Sequence, residues 1–420
     1  MKLQKILIRL QKLHPKEIDL SLDRVLTLCK KLGNPQEKLK CISIVGTNGK
    51  YSTIQAIRAI LKEANISVNI YSSPHIQKIN ERFIFNDEEI SDYNLIKLLT
   101  EVEEINAGEP ITYFEILTAA YFYYAKNFEN INIIESGLFH RFDATNIIKK
   151  NLASIITAIG LDHLDWLPDN EKTIEKIVYE KTSTLLNSKI IVAKQIDAET
   201  LDIIKNNISS NTSKKIIFNE QYNYSQKENG FINYEDEIGK LKLPSPNLIG
   251  DFQIENVVTA IAALRSLKLK IKDEHIKKGI TKIKSVARLQ EIKKGKIKNL
   301  CKNNKIFIDG SHNPLGAKVL NKYLESLNCN KHIILGMMNN KDHYEYINYF
   351  KNITSLTTID IPNQPNAIKG KKLKKKLSKF SNINYKESIQ DAIKSIPLSS
   401  NDIILITGSL YLAGEILNLN

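Results

Sequence analysis

A chain of 420 residues is too long for one ordinary core, because domains cluster near ~100–200 residues, so two domains are expected. Hydrophobic content of 42% and charged content of 25% are those of a soluble globular protein, and no apolar run approaches the ~20 residues of a membrane helix, which argues against a membrane partner. The net charge of +14 does not make a nucleic-acid binder: lysines are spread along the whole chain, and the one dense run, Lys369 to Lys376, has helical spacing without aromatics, as a solvated helix face does.

Residues 1–40 read as helices that stop at the turn Leu32-Gly-Asn-Pro35. The start is charged and amphipathic, without the apolar core of a signal peptide. Cys29, Cys41, Cys301 and Cys329 are scattered and form no C-x-x-C pair, which fits a reducing, cytoplasmic location and argues against zinc. Cys41 to Val45 is a short apolar strand. The loop Gly46-Thr-Asn-Gly-Lys50 follows, and Thr53 to Leu61 carries apolar residues at helical spacing. Strand, glycine loop, helix is the context of a phosphate-binding loop.

The alternation continues. Val68 to Tyr71 is strand-like and Tyr113 to Ala125 is helical. Ile131 to Ile134 is a strand ending at Glu135, and Ala153 to Ile159 is another ending near Asp162 and His163. Ile190 to Ala193 follows. Residues 205–245 are polar and rich in Asn, Ser and Lys, and are expected to form an irregular surface excursion. Asn256 to Leu267 is a helix. A second alternation begins near Lys284–Arg288, with strands at 305–309, 332–335, 356–359 and 402–407. Alternating strands and helices imply parallel sheets with ligands at the carboxyl ends of strands, where Lys50, Glu135 and His163 all fall.

The chemistry follows from those positions. Gly46 and Gly49 let the backbone approach an anion, Lys50 reaches the outer phosphates, and Ser52 or Thr53 offers a hydroxyl to magnesium. The loop is shorter than the eight-residue Walker pattern, and by itself a helix-capping turn would look the same. Glu135 at a strand end suits a magnesium ligand, although a surface acid can sit there too. Asp309-Gly-Ser-His-Asn-Pro314 and Thr407-Gly-Ser-Leu-Tyr411 are further strand-end turns.

Taken in order, these segments resemble the folylpolyglutamate synthase/dihydrofolate synthase group of the Mur ligase family. GTNGKYST resembles the family's GTNGKGST. Tyr71-Ser-Ser-Pro-His75 with Asn80-Glu-Arg82 resembles SPH…NER, and Thr112-Tyr-Phe-Glu115 resembles TYFE. Glu135 to Asn146 resembles EVGLGGRLDATN. Gly160-Leu-Asp-His163, Glu180-Lys181, Phe252-Gln253 with Asn256, Arg288-Leu-Gln290, DGSHNP and TGSLY complete the set, from about residue 20 to 415.

The resemblance implies an α/β fold: a P-loop ATPase-like domain with a parallel-rich sheet and the folate site at 1–285, and a smaller Rossmann-like ligase domain at 286–420. It implies an ATP-dependent ligase, in which a folate or dihydropteroate carboxylate takes the γ-phosphoryl group of ATP and L-glutamate captures the acyl phosphate. ATP would meet Gly46, Thr47, Asn48, Gly49, Lys50, Ser52, Thr53, Asn256, Arg288 and Asp309. Magnesium, at two sites, would use Ser52, Glu135 and His163. Lys181 matches a lysine carbamylated in the family, and Lys50, Lys181 and His312 would be catalytic. Ser73, Arg82, Phe114, Asp143 and Ala144 match the folate surface, while His312 and Ser409 lie where glutamate is expected. A monomer is implied.

Three departures stand out. Tyr51 replaces a glycine, Phe139-His140 replace two glycines, and Thr182-Ser183 replace Ala-Gly. They keep open two other readings, a non-catalytic nucleotide-binding homologue and a Mur-type ligase for another acceptor.

Overall fold

The structure is a computed structural model that describes residues 2–16, 19–227, 230–301, 303–380 and 382–420. It forms two compact units. The first holds Met1–Ile159, Leu167–Asn247 and Glu255–Ile283, and the second holds Gly160–Trp166, Leu248–Ile254 and Lys284–Asn420.

The first unit is built on eight strands: β1 (Lys40–Val45), β2 (Val68–Tyr71), β3 (Phe83–Phe85), β4 (Glu88–Glu89), β5 (Ile131–Glu135), β6 (Ala153–Ile156), β7 (Lys189–Val192) and β8 (Lys215–Ile217). Their order is β4-β3-β2-β5-β1-β6-β7-β8. The six strands from β2 to β8 in that order run parallel, and β3 and β4 add an antiparallel edge. The inner strands read as continuous apolar runs because both faces are covered, and five of the six residues of β1 are buried. An aromatic core packs on one side, with Tyr71 5.0 Å from Tyr121 and Phe85 5.2 Å from Tyr121 between ring centroids. Ile44 on β1 is in register with Glu135 on β5, so the loops that follow these strands leave the sheet side by side.

Residues 205–245 are not the irregular excursion expected from their composition. After the helix Ala198–Asn207 and β8, they form a three-stranded antiparallel sheet of β9 (Tyr222–Gln226), β10 (Ile232–Asp236) and β11 (Gly239–Leu243). Ile232, Tyr234, Leu241 and Leu243 are buried at alternate positions. The intervening Asn, Glu and Lys residues hide that period of two in a count of residue types. Asp236 closes the sheet onto the helix Asp251–Ser266, where Arg265 donates Nε to Asp236 Oδ2 at 2.7 Å.

The second unit has a six-stranded sheet of β12 (Gln290–Glu291), β13 (Lys305–Ile308), β14 (Lys331–Leu335), β15 (Ser355–Ile359), β16 (Ile383–Lys386) and β17 (Ile403–Thr407). The order is β12-β13-β17-β14-β15-β16, parallel except for β12. The lysine run forms the helix Gly370–Lys376, with Leu373 buried and its lysines exposed, as the spacing predicts. Among the described residues no helix is long and apolar enough to cross a membrane.

Candidate active site

The loop after β1 turns into the helix Lys50–Glu63 at Gly49, whose φ of +91° suits glycine. A Cβ at Gly49 would lie 2.4 Å from Asn256 Oδ1, and one at Gly46 would lie 2.0 Å from Thr157 Oγ1. The loop is therefore pressed against its surroundings by backbone. Thr47 N and Asn48 N both donate to Ala158 O, at 2.9 and 3.1 Å. That segment is fixed by Gln195, which accepts from Ile159 N and donates to Thr157 O. Gln195 is a supporting residue that the motifs did not point to.

Lys50 Nζ lies 3.1 Å from Gly46 O, 3.2 Å from Thr47 O and 3.9 Å from Glu135 Oε1. The phosphate-loop cation and the strand-end acid are thus neighbours, as the parallel register requires. Glu135 Oε2 accepts from Ser73 N at 3.1 Å, which brings a residue expected for folate beside it. Ser52 and Thr53 are buried in the first turns of the helix, and Tyr51 stands among them in helical conformation. Among the described residues no three His, Cys, Asp or Glu side chains converge as a metal site. The donor set expected in this unit, the Glu135 carboxylate and the Ser52 hydroxyl two positions after Lys50, suits magnesium, which keeps waters and phosphate oxygens as its other ligands.

The loop after β5 is held from two sides. Asp143, buried, accepts from Gly137 N at 2.8 Å, Leu138 N at 3.1 Å and Thr145 N at 3.0 Å. Burial pushes its carboxyl above the ordinary range against those hydrogen bonds. Ala144 is buried in the same turn. From the other side, His140 N and Arg141 N donate to Glu180 O, and Arg141 clasps the Glu180 carboxylate at 2.7 and 2.9 Å. His140 is buried with Nδ1 3.1 Å from Ser136 Oγ, and burial together with the Lys181 charge pushes it down to about 4. Phe114 packs its ring against Gly137, where a Cβ would be 2.8 Å from its Cζ, and against Tyr71. Arg82 donates Nε to His75 Nδ1 at 3.0 Å; burial, then the Arg82 charge, push His75 to about 4.

The second unit has its own polar centre. Asp309, at the end of β13, accepts from Leu289 N at 2.7 Å and Ser311 N at 2.8 Å; burial raises its carboxyl against the nearby Arg288. His312 turns Nδ1 to Gly310 O at 2.9 Å and Nε2 to Asp162 Oδ2 at 3.6 Å. Asn313 Nδ2 donates to the same oxygen at 2.9 Å, and Asn313 Oδ1 caps the helix Pro314–Glu325. Lys341 Nζ meets Asp162 Oδ1 at 2.7 Å. Burial alone would raise Asp162, but His163, His312 and Lys341 hold it well below the carboxylate range. Asp162 and Lys341 were not among the expected site residues. The signal was present: Asp162 adjoins His163, and Lys341 follows the strand end of β14. Ser409 is buried and caps the helix Leu410–Leu419, and Gly408 N donates to Ser311 O at 3.1 Å, so the TGSLY and DGSHNP turns adjoin.

Residues 44–264 match the Mur ligase middle domain, and residues 288–410 match the Mur ligase glutamate ligase domain. The chain is 30% identical over 419 residues to the dihydrofolate synthase/folylpolyglutamate synthase of Bacillus subtilis (strain 168), covering 94% of each chain. It is 27% identical to the folylpolyglutamate synthase of Lacticaseibacillus casei, covering 94% of this chain and 92% of that one. A solved structure of Escherichia coli FolC in complex with DHPP and ADP superposes with a TM-score of 0.84 at 26% identity, covering 99% of this chain and 97% of the other. With a phosphate loop, a strand-end glutamate and a DGSHNP turn placed as described, the chain belongs to the Mur ligase family, in its folylpolyglutamate synthase/dihydrofolate synthase group.

Proposed function

We propose that this chain is an ATP-dependent amide ligase that adds L-glutamate to a folate or dihydropteroate. A carboxylate oxygen of the acceptor attacks the γ-phosphorus of ATP, the bond to ADP breaks, and an acyl phosphate forms. The glutamate amine then attacks the acyl carbon, phosphate leaves, and the amine proton passes to solvent or phosphate. The observation that carries this reading is the 3.9 Å approach of Lys50 to Glu135, in a chain that matches the family over 94% of its length.

Lys50 and the backbone N–H groups around Gly49 and the helix start are the phosphate grip, with Gly46, Thr47, Asn48, Ser52, Thr53 and Asn256 around it. Magnesium, when bound at Glu135 and Ser52, neutralises phosphate charge. The resemblance assigns Arg288 and Asp309 to nucleotide, His312 and Ser409 to glutamate, and Ser73, Arg82, Phe114, Asp143 and Ala144 to folate. A second metal site, His163 as a metal ligand and a carbamate on Lys181 are finer points of the resemblance. No step here runs through the carbamate. We place the protein in the cytoplasm as a monomer. Its free thiols support a reducing compartment; burial pushes Cys29 and Cys41 up to about 12.

The test is turnover with magnesium, ATP and L-glutamate, with dihydropteroate or tetrahydrofolate as acceptor, read as the mass of one added glutamyl residue. No product from either acceptor, with ATP still bound, would favour the non-catalytic homologue. Product only from a muramoyl-peptide acceptor would favour another Mur-type ligase.

A further inference from the structure

One buried phenol joins the turns after β13 and β17. Tyr346, on the helix His343–Asn348, is fully buried. Its hydroxyl lies 2.9 Å from Ser311 Oγ and 2.7 Å from Thr407 Oγ1. Ser311 precedes His312 in the DGSHNP turn, and Thr407 stands two positions before Ser409 in the TGSLY turn. The ring is steadied by Phe350, edge to face at 5.5 Å between centroids. The helix is held in turn by His343, whose Nε2 donates to Met338 O at 2.9 Å, and by Asp342, which accepts from Glu345 N at 2.9 Å.

Burial pushes the Tyr346 phenol above its usual range, so the group is neutral, with one O–H to donate and lone pairs to accept. It can donate to one hydroxyl and accept from the other, and both links hold only while the two turns keep their spacing. The chain of hydroxyls continues to the buried Asp309, which Ser311 meets through its backbone N at 2.8 Å and through its side chain. Gly408 N to Ser311 O, at 3.1 Å, links the same turns by backbone, and Tyr346 links them by side chain. A phenylalanine would fill the same apolar space, so packing does not account for the hydroxyl. A buried hydroxyl costs free energy unless it is partnered, and here both partners are the turns.

We infer that Tyr346 is a positioning residue for L-glutamate: by holding Ser311 and Thr407 together, its hydroxyl sets the spacing between His312 and Ser409. It acts through those two turns and touches no substrate itself. The inference rests on the proposed glutamate ligation, and wild-type turnover serves as the control for that reading.

The test is steady-state turnover of the full chain with magnesium and ATP, on whichever of dihydropteroate or tetrahydrofolate the wild type accepts, with L-glutamate varied. Tyr346→Phe removes one oxygen and keeps the ring. Its KM for L-glutamate is expected to rise about fivefold, with kcat and the KM for ATP within about twofold of the wild type. Thr407→Val breaks the same chain from its other end and should give a similar rise. The double variant should be little worse than either single one, because each breaks the same link. A lower urea midpoint with an unchanged KM for L-glutamate would make Tyr346 merely structural and overturn the inference. Equal rises in both KM values would overturn it too. If Tyr346→Phe does not fold, Thr407→Val decides. No glutamate turnover by the wild type sinks the proposed function and this inference with it, whereas normal wild-type turnover with unaltered variants sinks this inference alone.

Discussion

Asp162 and Lys341 are 179 positions apart in the chain, and their carboxylate and ammonium meet at 2.7 Å with both side chains largely out of water. Asn313 donates to the other oxygen of Asp162, so this one acid fastens the GLDH segment to the turns after β13 and β14. Replacing Lys341 by Met should leave Asp162 buried with one donor fewer. A loss of about 1–3 kcal/mol is expected from a buried carboxylate that loses a charge-assisted hydrogen bond, with His163 N still donating to Oδ1 at 2.9 Å. Lys341→Arg should lose less. Urea unfolding followed by fluorescence checks this, and an unchanged midpoint for Lys341→Met would show that the pair contributes nothing net.

The phosphate loop offers a contrast between two neighbours. Gly49→Ala must hold a Cβ at φ +91° and push Asn256 aside, and left-handed backbone alone costs ~1–2 kcal/mol. ATP binding should weaken by about tenfold or more. Tyr51 lies within the helix, where glycine is ~1 kcal/mol worse than alanine. Tyr51→Gly should therefore change ATP affinity by less than about tenfold. Calorimetric titration of both variants decides, and the reverse ranking would refute the reading of the loop.

Glu135→Gln should raise the magnesium concentration for half-maximal turnover by about tenfold, equivalent to ~1.4 kcal/mol for a weakened oxygen ligand. Metal-free ATP binding should change far less, because Lys50 and the backbone remain. Identical magnesium curves for variant and wild type would remove Glu135 from the ligand set.

His140 gives a pH signature. Burial, then the Lys181 charge, lower its folded pKa from 6.5 to about 4. The unfolded chain therefore binds its proton first as pH falls, so stability is present above the unfolded value and is lost between 6.5 and about 4. His140→Gln should flatten that acid limb by up to ~3 kcal/mol at pH 4, at ~1.4 kcal/mol per pH unit. Denaturant midpoints measured from pH 7 to 4 test it; parallel curves for the two proteins would mean that His140 does not carry the effect.

The site was legible where its chemistry is local. Glycines, lysine and hydroxyls of 46–53 sit within one strand-loop-helix, and Glu135 ends a strand that carries no other acid. What sequence reading missed is non-local. Nothing near Lys341 in the chain reveals that its partner is Asp162, and nothing near Gln195 reveals Thr157 and Ile159. The sheet at 222–243 was missed for another reason. Its polar face is rich in Asn, Glu and Lys, and only the alternate burial of Ile232, Tyr234, Leu241 and Leu243 makes it a sheet.

The strand order of the second unit bears on its biogenesis. β17, the last strand along the chain, lies between β13 and β14 and hydrogen-bonds to both. During synthesis from the N-terminus, β13 and β14 emerge with no common neighbour, and their apolar faces wait until Ile403–Thr407 has been made. The first unit suffers no such delay from this strand, since its sheet closes within residues 40–217. Folding on the ribosome should accordingly be staggered, with the ligase half depending on chaperones or on release of the finished chain. Chains truncated after residue 402 should show it under limited proteolysis, with the first unit protected and the second digested.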